Sequence, residues 1–302
     1  MNLVRAVFHL CRETFVEYGR DKCPRLGAAI AFYTLLSLAP LLLVVIGLVG
    51  PLAGADTARG QVVAQFRDLV GPQGAEAVGT MLDSTKSPSG GVLSTVIGVA
   101  LLLYGAVNLF LQLQDALNSV WNVPERPSKS LGIWRAVKDH LLSFSTVLGL
   151  GFLLLVSLVL GAGLSGLQKW LEGRIGGGSW WLGAANVAVS YALAALLFAF
   201  IYKVLPAARV SWRSVAVGAL VTAGLFTLGK YLIGLYLGQA APGSAFGAAG
   251  SLVVLLIWVY YSTQLLLLGA EFTQVYARRH GGGVRYRGQK AAGAAKPAAT
   301  PA

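Results

Sequence analysis

Tyr104, Asn108, Gln112, Asp115 and Ser119 interrupt an otherwise apolar stretch at i, i+4, i+8, i+11 and i+15, a spacing that gathers them on one face of an α-helix. Tyr260, Gln264 and Glu271 repeat the pattern at i, i+4 and i+11, and Tyr33, Ser37 and Pro40 form a third stripe. Hydroxyls, amides and carboxyls in apolar surroundings suit two roles: lining a path for a polar or charged molecule, or hydrogen-bonding one helix to another. For the Asn and Gln residues the interhelical bond, about 0.6 kcal/mol each, is the simpler reading. For Asp115 and Glu271 both roles stay open. Pro40 removes one backbone hydrogen bond and bends its helix.

Catalytic groupings are missing from the sequence. His9, His140 and His280 are separated by 131 and 140 residues, and none has a second ligand at metal spacing, so no zinc site is expected. A phosphate-binding glycine loop ending in Lys-Ser/Thr is absent, as is Gly-x-Ser-x-Gly. The expectation is a protein without enzymatic activity and without a cofactor.

The elements that must carry these stripes follow from composition. Of 302 residues 56% are apolar and only 12% charged, against about 25% charged in a soluble domain. Six stretches reach the roughly 20 apolar residues needed to cross a hydrocarbon core of about 30 Å. They run from Gly27 to Leu52, Val92 to Asn118, Leu141 to Leu164, Trp180 to Leu205, Ser214 to Leu237 and Gly250 to Thr273. The fold class is therefore all-α, an integral membrane bundle of six transmembrane helices spanning 27–273, because lipid-exposed backbone must satisfy its own hydrogen bonds. The first apolar stretch is too long for the core of a cleaved signal peptide, so it is expected to stay as an anchor. Cys11 and Cys23, the only cysteines, cannot build a disulfide scaffold.

Six crossings place both termini on one side. The loops on that side hold 18 Lys and Arg and the opposite loops five, with Lys230 inside a span, so the termini are expected in the cytoplasm of a bacterial inner-membrane protein. The asymmetry accounts for the net charge of +12 without a nucleic-acid partner. Each basic group near an anionic leaflet contributes about 1 kcal/mol of attraction, which makes membrane lipids, anionic on the cytoplasmic side, the expected partners.

Residues 1–26 form an interfacial amphipathic helix with Val4, Phe8, Cys11, Phe15 and Tyr18 along one side. The outer loop, 53–91, holds two apolar clusters split by Gly71-Pro72 and is expected to form two short helices over the outer mouth. The basic tail, 274–302, turns rich in Gly, Ala and Pro after Gly281 and is expected to be disordered. The charge-free turn at 239–249 is either a tight connection or a re-entrant stretch. Gly161 with Ser165, Gly218 with Thr222 and Gly234 with Gly238 have the small-xxx-small spacing of close helix contacts.

Depth decides the ionic partners. At 1.5 Å per residue, Lys230 and Glu271 fall roughly 20 Å or more apart along the membrane normal. Lys230 is therefore expected to reach outward. Glu271 is matched instead to the cytoplasmic Lys203, Arg209 or Arg213, which Asp115 shares.

Three segments together resemble the YihY/BrkB family of bacterial inner-membrane proteins, some members of which carry the label ribonuclease BN. They are Ala28 to Pro40, with the sequence AAIAFYTLLSLAP; Ile201 to Pro206, IYKVLP, followed by Val210-Ser211-Trp212-Arg213; and Gly243 to Gly247, GSAFG, running into Leu255 to Ser262 and the Gly269-Ala270-Glu271 ending. They occur in the family's order, with Phe246 where relatives often have Tyr. The resemblance implies a six-helix cytoplasmic-membrane protein and brings no secure activity. The histidine and aspartate cluster of a zinc-dependent nuclease is missing, which leaves a membrane-associated ribonuclease as a remote alternative. The leading expectation is a transporter-like protein handling a lipid or other anionic amphiphile, with the basic groups Lys203, Arg209 and Arg213 near its head group. The alternative is a non-catalytic envelope scaffold whose partner is another envelope protein or a second copy of the chain.

Overall fold

A computed structural model of the chain describes residues 3–70, 72–84, 91–123, 180–240, 250–280 and 285–286. Eight helices account for nearly all of them: α1 (Leu3–Arg20), α2 (Cys23–Ala53), α3 (Ala55–Val70), α4 (Pro72–Ser84), α5 (Gly91–Val120), α6 (Trp180–Val204), α7 (Trp212–Ala240) and α8 (Gly250–Arg279). A two-residue antiparallel pair joins β1 (Ala208–Arg209) to β2 (Arg285–Tyr286), with Ala208 opposite Tyr286 and Arg209 opposite Arg285. Beyond α8, the tail therefore meets the α6–α7 link at this pair. The stretch from Leu141 to Leu164, with its Gly161 and Ser165, and the turn at 241–249 lie outside the described residues.

Three of the described helices are long and apolar enough to cross a membrane, over Val187–Val204, Trp212–Tyr236 and Leu252–Arg279, and Cys23–Leu38 forms a shorter apolar segment. α2 continues through Pro40. Gly54, with φ of 87°, ends it and turns the chain into α3, the left-handed position that glycine takes after a helix without a Cβ clash. α3 ends at Val70, α4 begins at Pro72, and the two pack against each other. Arg59 on α3 closes the pair through an ion pair to Asp83 at 2.5 Å and a bond to the Gly79 carbonyl at 3.2 Å.

α8 is the hub, packing against α1, α2, α4, α5 and α7. Its contact with α7 is built from small residues. A Cβ on Gly218 would run into Thr273, and a Cβ on Gly269 into Thr222 and the Tyr202 hydroxyl. Each threonine hydroxyl donates to the glycine carbonyl one turn back on its own helix, Thr222 to Gly218 at 2.7 Å and Thr273 to Gly269 at 2.6 Å. The polar atoms are thus satisfied internally while the backbones close up. Tyr202 of α6 completes the layer, donating to the Leu266 carbonyl at 2.7 Å with Thr222 Oγ1 at 3.1 Å. Gly234, by contrast, has nothing within 4 Å of where its Cβ would stand.

Candidate functional site

The α1–α2 corner folds back onto α8. Lys22 turns it with φ of 54°, a left-handed conformation that costs a non-glycine residue about 1–2 kcal/mol. Beside it Asp21 comes within hydrogen-bonding reach of Glu271, which is 0% exposed. The Cys23 thiol donates to Glu271 Oε1 at 3.4 Å. Burial raises the Asp21 pKa above the usual carboxylate range, and the charge of Glu17 adds to the rise; the Glu271 hydrogen bond and Arg20 oppose it. Two turns along α8, Gln264 Oε1 accepts from the Tyr18 hydroxyl. Burial, with Cys23 and Tyr260 as neighbours, pushes the Tyr18 phenol up to about 12. Gly27 leaves the room that the Gln264 amide fills.

An ionic ladder closes the outer end of this junction. Arg278 donates to Glu13 at 2.6 Å and to Glu17 at 3.2 Å, and Arg279 Nε donates to Glu13 Oε2 at 2.8 Å. The polar side of α1 therefore faces the protein. Val7, Phe8, Phe15 and Val16 point away from it and stay exposed. Cys11 is exposed and Cys23 buried, and both are free thiols.

A second polar patch lies where α2 meets α5. Tyr33 and Tyr104 stack edge to face with ring centroids 6.5 Å apart. Ser37, buried, donates to the Thr34 carbonyl at 3.0 Å and abuts Gly105, whose absent Cβ would stand 2.9 Å from that of Ser37. One turn on, Asn108 Nδ2 donates to the Tyr104 carbonyl at 2.7 Å. The stripes expected to form one path are thus split. Tyr33, Ser37 and Tyr104 meet at the α2–α5 contact, with Asn108 one turn along α5, whereas Gln264 and Glu271 gather at the α1 junction with Tyr260 near Tyr18. Gln112 is half-buried and Asp115 exposed, and neither makes a hydrogen bond or ion pair among the described residues.

The expected basic partners of Glu271 and Asp115 are corrected by the geometry. Lys203 instead donates to the Val210 carbonyl at 2.5 Å, with its Nζ 4.9 Å from the centre of the Trp212 ring. Arg213 is exposed, and the backbone of Arg209 pairs with Arg285. Glu271 faces carboxyl and thiol groups, because the α1–α2 corner occupies the space a cation would need. Lys230 borders a crevice with Phe226, Trp258 and Tyr261, and Glu271 is not among the residues lining it.

Sequence reading missed Asp21, Cys23 and Tyr18 as partners because they precede the first apolar stretch. The available signal was the run Glu13, Glu17 and Asp21 at i, i+4 and i+8, an acidic stripe that asks for a protein surface. Asn118, another omission, accepts from the Ala207 amide at 2.9 Å and ties α5 to the α6–α7 link. Among the described residues no group of three or more His, Cys, Asp or Glu is placed to hold a metal ion.

Residues 14–294 match the model of the family described as virulence factor BrkB. The chain belongs to this family. The BrkB-family chain is similar to the UPF0761 membrane protein of Mannheimia succiniciproducens, at 28% identity over 91% of the chain and 90% of the relative. It is also similar to those of Pseudomonas paraeruginosa, 30% identical over 84% of the chain and 59% of the relative, and Alkalilimnicola ehrlichii, 26% identical over 86% and 56%. The chain thus spans little more than half the length of these last two. No solved structure matches it.

Proposed function

We propose that this BrkB-family membrane protein is a non-catalytic, transporter-like protein of the bacterial cytoplasmic membrane that moves or accommodates a lipid or other anionic amphiphile. Six helices cross the bilayer in this reading, and both ends of the chain are cytoplasmic. The observation that supports it best is Tyr104. In the middle of an apolar helix it is 56% exposed, with its ring against Tyr33 and its carbonyl under the Asn108 amide. An open helix contact with aromatic and amide groups at mid-depth suits a head group passing along the protein–lipid boundary.

The basic end supports the same reading. The antiparallel contact of Gly218 with Thr273 puts Trp212 and Arg213 at the end of the bundle where α1 docks. Trp212, 68% exposed, and the exposed apolar side of α1 are flanked there by exposed Arg5, Arg12, Arg20 and Arg25. Apolar surface ringed by arginine suits the headgroup layer of an anionic leaflet. Lipids are therefore the proposed partners and nucleic acid is not one.

Reconstitution tests the proposal. Vesicles holding the protein should exchange fluorescent phosphatidylglycerol between leaflets several-fold faster than protein-free vesicles, and Tyr104→Ala and Asn108→Leu should remove most of the gain. Absence of flux for every anionic lipid tried moves the assignment to the envelope scaffold.

A further inference from the structure

Glu271 is fully buried, yet no cation balances it among the described residues. Around it stand the Asp21 carboxyl and the Cys23 thiol, with Glu17 beyond. Asp21, two residues before the Cys23 that bonds Glu271, brings its carboxyl within reach of the Glu271 carboxyl, and Asp21 Oδ2 and Glu271 Oε2 are both buried with no hydrogen-bond partner. Ionised carboxylates are acceptors only, so a bond between two of them requires a proton on one. Gln274 Oε1, buried one turn further along α8, is a third acceptor without a donor. The one buried donor left without an acceptor at the junction, Gln264 Nε2, lies two turns away from Glu271 along α8.

We infer that Asp21 and Glu271 share one proton, forming a proton-binding site that fastens the α1–α2 corner to α8. With the proton in place, the acid of one residue donates to the carboxylate of the other and the buried pair carries a single negative charge. Without it, two negative charges face each other beside a third, that of Glu17. Of the other groups facing the pair, only Arg20 offsets this, and only in part. From α1, Arg20 lies 3.7 Å from Glu17 and the Tyr18 phenol stays neutral; from α2 there is only the Cys23 thiol; from α8, Arg278 is committed to Glu13 and Glu17.

The sign follows from linkage. The docked corner binds a proton that the undocked corner, with both carboxyls in water, holds only at ordinary carboxylate pH. Docking is therefore complete below the ordinary carboxylate range, weakens as pH rises above it, and levels off once the pair has released its proton. The direction agrees with the raised Asp21 pKa. No transport step is needed, so the inference stands apart from the lipid reading.

Amide hydrogen exchange of the full chain in nanodiscs, followed from about pH 5 to about pH 9 and corrected for intrinsic exchange, tests it. The reporters are the corner amides, among them Asp21 N to Glu17 O at 2.8 Å and Arg25 N to Lys22 O at 2.9 Å. Their protection should fall by about a decade per pH unit within that window, the slope of one-proton linkage. Glu271→Gln and Asp21→Asn replace the shared proton with a permanent N–H donor and should hold protection high and level. Asp21→Ala, which removes the carboxyl and supplies no donor, should give low, level protection. Should Glu271→Gln fail to accumulate, Asp21→Asn at the half-buried corner carries the comparison. A flat wild-type profile, or an unchanged pH slope in Asp21→Asn, overturns the inference.

Discussion

Thr273 lies against the bare backbone of Gly218, and one turn away the arrangement is inverted, with Thr222 against Gly269. The two helices thus exchange a glycine for a threonine twice, and each hydroxyl is spent on its own helix. Close approach, rather than a bond between helices, holds α7 to α8.

Gly218→Ala should therefore destabilise the protein by about 1–3 kcal/mol, the range for overfilling a packed contact, outweighing the gain of about 1 kcal/mol in helix propensity. Thermal unfolding in detergent measures it. Adding Thr273→Ala should recover much of the loss, and Gly234→Ala, with open space at its Cβ, should be neutral or stabilising.

Tyr202→Phe removes a buried hydroxyl that donates to the Leu266 carbonyl and contacts Thr222. A loss of about 0.5–1.5 kcal/mol is expected. Thr222 keeps its own bond to the Gly218 carbonyl, so Thr222→Val should cost no more than Tyr202→Phe in the same unfolding assay.

The ladder of Glu13 with Arg278 and Arg279 is partly exposed, so each pair should contribute only about 0.2–1 kcal/mol. Glu13→Arg should raise proteolysis within α1, Arg278→Glu added to it should restore protection in part, and high salt should blunt both effects. Unchanged cleavage at low salt would show that the apolar contacts of Tyr18 suffice.

Cys11 is exposed beside Phe8 and Phe15, which makes it a natural reporter of where α1 lies. An environment-sensitive dye on it should shift to the blue in vesicles containing phosphatidylglycerol, less so in neutral ones. Phe8→Glu with Phe15→Glu should abolish the shift. A dye spectrum indifferent to lipid places the apolar side of α1 against something other than the bilayer.

Helix-forming stretches were legible because hydropathy alone sets them: α6, α7 and α8 each coincide closely with an apolar run. Spacing also found Gly218 and Thr222, yet it could not separate them from Gly234, since a repeat names a face without naming what covers it. Depth along the chain separated Lys230 from Glu271. It then chose basic partners for Glu271 by elimination, whereas the observed neighbours arrive through a tight corner at Lys22 that no periodicity announces. A charge swap of Glu271→Arg with Arg213→Glu is accordingly expected to give no rescue of accumulation over Glu271→Arg alone.

The central place of α8 also sets an order of events during synthesis. α1, α2, α4, α5 and α7 are all made before the helix they pack on, so they leave the ribosome as neighbours still waiting for a common keystone. Until residues 250–279 arrive, the glycine notch at Gly218, the hydroxyl of Tyr202 and the acids of α1 have no counterpart. A nascent chain halted before that point is a natural substrate for membrane quality control.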